Sequence, residues 1–221
     1  RGYDALESLE AYAKDVETRA STRVIVSSPD KLASATIRNF EVTGEMLGNY
    51  VAPVSCDVSS GNSCKMHFTP IPLVRRVQVT LNVRGLNNVR KVRCTLNDVP
   101  LSVFLHNGHA GEELGSQEFT VGSPVYEEGS FTEGKLTGMF DVFSLDRLMS
   151  HSMTLKALLV DGKTVVEQVL TDVIVKEKID DVGSITFYID APIPETIPDV
   201  KPEGSADSGF DVDVDDWKGD E

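Results

Sequence analysis

The stretch Arg75-Arg76-Val77-Gln78-Val79-Thr80-Leu81-Asn82-Val83-Arg84 sets Val77, Val79, Leu81 and Val83 on one side and Arg76, Gln78, Thr80, Asn82 and Arg84 on the other. This period of two marks a β-strand with one face in a core and one in water. Gly85-Leu86-Asn87-Asn88 reads as the turn that ends it. Val92, Cys94 and Leu96 resume the inward face on the next strand, and another strand is expected over 99–105 after a turn at Asn97-Asp98. Further strands are expected over 117–121, 135–143, 154–160, 164–170 and 184–190. Asp161-Gly162 is a strong hairpin signal, and Ile185, Phe187 and Ile189 alternate with Thr186, Tyr188 and Asp190 in the closing strand. Short strands at roughly ten-residue spacing, with Gly, Pro, Asn and Asp at the joints, describe an all-β antiparallel sandwich. We place it over 70–192, with Val79, Leu81, Val92, Cys94, Phe187 and Ile189 sharing one core.

The flanks read differently. Leu6, Leu9, Ala13 and Val16 recur at spacings of three and four, which predicts a short amphipathic helix over 4–19. Short strands are expected over 22–27 and 36–43, so 1–69 reads as a mixed, incomplete N-terminal segment with a linker. After Asp190 four prolines within a dozen residues favour an extended arm over a central strand, and 193–221 reads as an acidic tail.

The chain has 221 residues, a formal net charge of −14, 40% hydrophobic and 25% charged residues. No window approaches the run of about 18 apolar residues that spans a bilayer as a helix. The chain opens Arg1-Gly2-Tyr3-Asp4 without a leader, and is expected to be a mature or trimmed form. The segment Glu195 to Glu221 carries ten acids against Lys201 and Lys218, whereas Arg75, Arg76, Arg84, Arg90, Lys91 and Arg93 lie in a run without acids. That run lacks interleaved aromatic residues for base stacking, and outward strand faces need polar residues in any case, so nucleic acid is not an expected partner.

Candidate chemistry is sparse. Asp211, Asp213 and Asp215 alternate like the first ligands of a calcium loop, but Asp216 stands where glycine is needed and the twelfth position falls beyond the chain. His106 and His109 sit beside Gly108 on an expected hairpin tip, with no third ligand at zincin spacing. Cys56 and Cys64 flank a polar loop and are either bridged or two free thiols; Cys94 reads as a buried small hydrophobe. No nucleophile elbow or phosphate loop is present in the sequence. The expectation is a protein that is not an enzyme, with no catalytic, cofactor-binding or metal residues.

Phe68-Thr69-Pro70-Ile71-Pro72-Leu73-Val74-Arg75-Arg76-Val77-Gln78-Val79, Leu81-Asn82-Val83-Arg84-Gly85-Leu86, the Asp161-Gly162-Lys163 hairpin and Gly209-Phe210-Asp211-Val212-Asp213-Val214-Asp215-Asp216-Trp217 together resemble the fimbrillin-like proteins of Bacteroidales. These are surface lipoproteins related to fimbrial anchor and tip subunits. The resemblance implies transthyretin-like sandwiches and a lipid-anchored place at the outer membrane. It also implies a pilus or adhesion role, with other fimbrial subunits as partners by β-strand addition. The competing expectation is a surface protein that binds glycans or a host ligand outside any pilus. The arm from Pro192 to Trp217 is the segment expected to be donated to a neighbour, unless it folds back on its own domain.

Overall fold

The computed structural model describes residues 9–14, 24–37, 41, 68–146, 149–181 and 183–202. Two five-stranded sheets face each other across one core. The first has β13 (Val175–Ile179), β14 (Ile185–Pro192), β5 (Arg75–Arg84), β10 (Glu133–Val142) and β9 (Val125–Tyr126) side by side in that order. The second runs β12 (Val165–Val173), β11 (His151–Leu159), β6 (Val89–Pro100), β8 (Leu114–Thr120) and β2 (Ile25–Val26). All-β architecture is thus as expected, but pairing is mixed. β14 lies parallel to β5, and β2 parallel to β8; the other pairs within the two sheets are antiparallel.

The alternation in β5 works as its sequence dictates, with Val77, Val79, Leu81 and Val83 buried between β14 and β10. Val92, Cys94, Leu96, Phe187 and Ile189 join the same core. Phe119 of the second sheet stacks on Phe140 of the first, ring centroids 4.3 Å apart. Gly138 makes room for that pair, since a Cβ there would stand 3.0 Å from the Phe119 ring.

Several local expectations change. Asn97-Asp98 is a bulge and not a turn: Asp98 takes φ 60°, the register with β8 shifts between Asn97 and Val99, and β6 runs on to Pro100 because Val99 still faces the core. The following strand is correspondingly short, β7 (Ser102–Phe104). A strand absent from the sequence reading, β13, follows β12 after Asp172 at φ 55°, carrying the chain from one sheet to the other. Its Val-Lys-Glu-Lys-Ile sequence keeps two lysines on an edge, where charge discourages unwanted pairing.

The expected N-terminal helix does not form over Glu10–Tyr12, which is a strand, β1, antiparallel to β7. Ala11 and Ala13 also satisfy a period of two, and they pack on Leu73, Val103 and Phe143 in a second small core. Tertiary pairing therefore overrides the helical spacing. Leu9, Ala13 and Lys14 are not helical either, while 4–8 and 15–19, and most of the 36–43 strand, fall outside the described residues; Thr36 and Ile37 are not in a strand, and the nearby ribbon is β3 (Ala33–Ser34) with β4 (Ile71–Pro72). The sandwich takes chain from both sides of 70–192, since β2 is bonded into the second sheet while Ile193 and Ile197 lie in the main core.

The hairpin at Asp161-Gly162 holds as expected. Asp161 Oδ1 accepts the N–H groups of Lys163 and Thr164 at 3.0 and 2.9 Å, and Oδ2 accepts the Thr164 hydroxyl. These bonds, the one from the Thr164 hydroxyl foremost, hold its carboxyl below the usual carboxylate range. A depressed folded value means that the turn gains from ionised Asp161 above the ordinary pKa and loses that gain as pH falls through the depressed one. Amide exchange at Lys163 and Thr164 is therefore expected to accelerate on acidification below the ordinary carboxylate range, beyond the intrinsic pH trend. Protection that stays constant there would contradict the assignment.

Candidate functional site

The cationic run that looks continuous in sequence is divided by the fold. Arg76 and Arg84 lie on the wet face of the first sheet, while Arg93 lies on the wet face of the second, across the core. No single track along 75–93 results. Arg75 and Arg76 instead meet residues that sequence reasoning did not single out.

At the end of the sandwich where β5 begins, the β3–β4 ribbon stands beside the starts of β5 and β14 and leaves a cleft of about 510 Å³. Leu32, Val74 and Ile185 give it apolar walls, and Lys31, Arg75 and Arg76 bring three cations. The Arg75 guanidinium is oriented by a 2.7 Å bond from Nη1 to the Pro72 carbonyl. Arg76 reaches Asp141 on the paired strand at 3.5 Å. Asp180, the second carboxylate of the cleft, accepts the Ser184 N–H at 2.7 Å and so is held in its own turn. The volume lies within the range of about 300–1,000 Å³ usual for ligand pockets. The arrangement can hold an apolar group flanked by negative charge. Lys31 and Asp180 come from segments remote in sequence, so local pattern carries no signal for them.

At the opposite end of β5 the β9–β10 hairpin projects. Glu127 and Glu133 close it through a 3.0 Å backbone bond, Ser130 Oγ accepts the N–H groups of Thr132 and Glu133, and Gly129 supplies φ 77°. The Thr132 carbonyl accepts the Leu86 N–H at 2.8 Å, fixing the tip to the β5–β6 turn. On this braced loop Phe131 is 87% exposed, near exposed Val125 and Tyr126 and flanked by exposed Glu127, Glu128 and Glu133. The sequence reading did not single out Phe131.

The two histidines do not converge. His109 is exposed and its N–H donates to Asn107 Oδ1, whereas His106 is half-buried with its ring edge-on to Phe104. Among the described residues no group of three or more His, Cys, Asp or Glu side chains is placed to hold a metal ion. Asp211, Asp213, Asp215 and Asp216, and Cys56 and Cys64, lie outside the described residues. Cys94 is fully buried as a free thiol, and burial pushes its pKa up to about 12. Because the thiolate is the reactive form, Cys94 is expected to resist iodoacetamide in the native protein at pH 8 and to label on unfolding. Peptide mapping that finds native labelling of Cys94 would refute its burial.

These features define an all-β sandwich protein with an aromatic, acidic projection at one end and a cationic cleft at the other. The chain belongs to the family described as Domain of unknown function (DUF5119), whose model matches residues 1–120. No curated protein matches the chain. Among solved structures, one described as a putative adhesin from Bacteroides ovatus ATCC 8483 is similar in fold, with a TM-score of 0.53 and 17% identity. The match covers 77% of this chain and 59% of that one, so this chain accounts for little more than half of the longer protein. Among the described residues no helix is long and apolar enough to cross a membrane.

Proposed function

We propose that this is a non-enzymatic cell-surface protein of the fimbrillin-like, transthyretin-like kind, serving adhesion as a subunit or anchor component of a fimbria. The observation that carries the proposal is the sandwich likeness to the Bacteroides ovatus putative adhesin. Open sheets support it physically: among the described residues β13 and β9 end one sheet and β12 and β2 the other, and the edges of open sheets can accept a strand from another subunit. Lipid anchoring at the outer membrane belongs to the same proposal, through the family resemblance. The donor in this scheme is narrower than Pro192–Trp217, because 193–200 is already packed on its own sandwich.

The second reading is a surface protein that binds a glycan or host ligand without joining a pilus, and the cleft at Lys31, Arg75 and Arg76 favours it. Protease shaving of intact source cells, followed by isolation of fimbriae, separates the two. The main proposal expects the protein to be released from the surface and to co-purify with fimbriae in the unshaved preparation. Release without co-purification selects the second reading, and protection of the protein inside the cell defeats both.

A further inference from the structure

The two ends of the β5–β10 pair carry opposite and matching features. Arg84 pairs with Glu133 at the projecting hairpin, while Arg76 pairs with Asp141 at the cleft. The ten residues of β5 between these ends put the two features roughly 30 Å apart along the strand direction. One end offers an aromatic side chain on a braced loop among three exposed carboxylates; the other offers apolar walls among three cations. From this complementarity we infer that copies of this chain dock head to tail, with Phe131 of one copy seated in the Lys31–Arg75–Arg76 cleft of the next. This inference rests on the assembly part of the proposed function and names its contact, which differs from strand addition.

An exposed phenylalanine in an ordered loop gains by leaving water, and its loop loses little further freedom on docking because its backbone is already bonded. Aromatic anchors in pockets are the usual centres of binding energy. Glu127, Glu128 and Glu133 then face Lys31, Arg75 and Arg76, which fixes orientation and speeds encounter. Asp141, against Arg76, and Asp180, bonded by the Ser184 N–H, also line the cleft, so its three cations outnumber its carboxylates by one and it keeps a positive sign. The two surfaces differ and sit at opposite ends, so the contact is heterologous. Repetition builds a linear array unless the rotation closes a ring.

The test is sedimentation velocity of the full 221-residue chain from low micromolar concentration upward, at low and high salt. The wild type is expected to grow with concentration and to shrink in salt. Phe131→Ser changes an exposed side chain and should fold normally, yet should move assembly to concentrations more than about tenfold higher. Lys31→Glu with Arg76→Glu should do the same from the other side. Ala33→Trp, which fills the cleft without touching a charge, checks that result should the double variant fold poorly. Mixing the Phe131 variant with a cleft variant should restore pairs but no longer arrays, since only one intact projection and one intact cleft can meet. The contact is refuted if the variants assemble like the wild type, or if the mixture forms no pairs. In the first case assembly itself survives through another surface. A wild type that stays monomeric throughout overturns both this contact and the assembly reading.

Discussion

Replacing Leu81 by alanine is expected to lower the free energy of unfolding by about 2 to 5 kcal/mol. Leu81 is fully buried at the middle of β5, directly across from Leu136 on β10 and Ala191 on β14. Both neighbouring strands are themselves pinned by hydrogen bonds, so the space left by the lost isobutyl group cannot close by a simple shift. A cost from lost burial and a cost from the residual cavity therefore add. Thr80→Ala, one residue away on the wet face, should stay within about 0.5 kcal/mol of the wild type. Urea unfolding of the two variants measures the difference. Equal midpoints would show that the inward and outward faces of β5 are interchanged.

Deleting 193–221 is expected to cost a similar amount, although no strand of either sheet is lost entirely. Ile193 and Ile197 are 3% and 1% exposed in the main core, with their N–H groups bonded to the carbonyls of Asn82 and Arg84 at 2.9 Å. Gln168 on β12 clamps the intervening Glu195 by both its amide N–H and its carbonyl. Asn88 holds Asp199 at 2.7 Å. Two buried isoleucines contribute roughly 3 to 6 kcal/mol at about 25 cal/mol per Å², which for a chain of this size lowers the melting temperature by roughly ten degrees or more. A truncation after Pro202, which keeps the bonded segment, separates the contribution of these contacts from that of the remaining tail. Gly85→Ala attacks the same contact from the other side. Gly85 has φ 78°, and a Cβ there would stand 2.2 Å from the Ile197 carbonyl oxygen, so the arm must move. An unchanged melting temperature for the deletion would mean that the arm does not stabilise its own domain, and loss of partner binding alongside it would support donation. This result is independent of the Phe131 contact, whose residues all lie outside the arm.

The all-β class was legible in sequence because strand periodicity is local: Val77 to Val83 need only their own neighbours to declare an inside and an outside. Asp161-Gly162 was legible for the same reason, since its turn is satisfied by Lys163 and Thr164 close by. Cys94 could be read as core from Val92 and Leu96 alone. Pairing partners were beyond reach, because the parallel contact of β14 with β5 joins Ile189 to Val79 across more than a hundred residues. Glu10–Tyr12 became a strand only through the free edge of Ser102–Phe104, and the proline-rich arm became part of the core only because Gly85 leaves room for Ile197. The cleft and the projection are further still from the sequence: Lys31, Arg76 and Asp180 line one cleft, and Phe131 stays in water, solely as a result of which strand ends the fold brings together. Local pattern decides which side of a strand is buried, whereas the position of charge and aromatic surface on the finished molecule depends on long-range strand order.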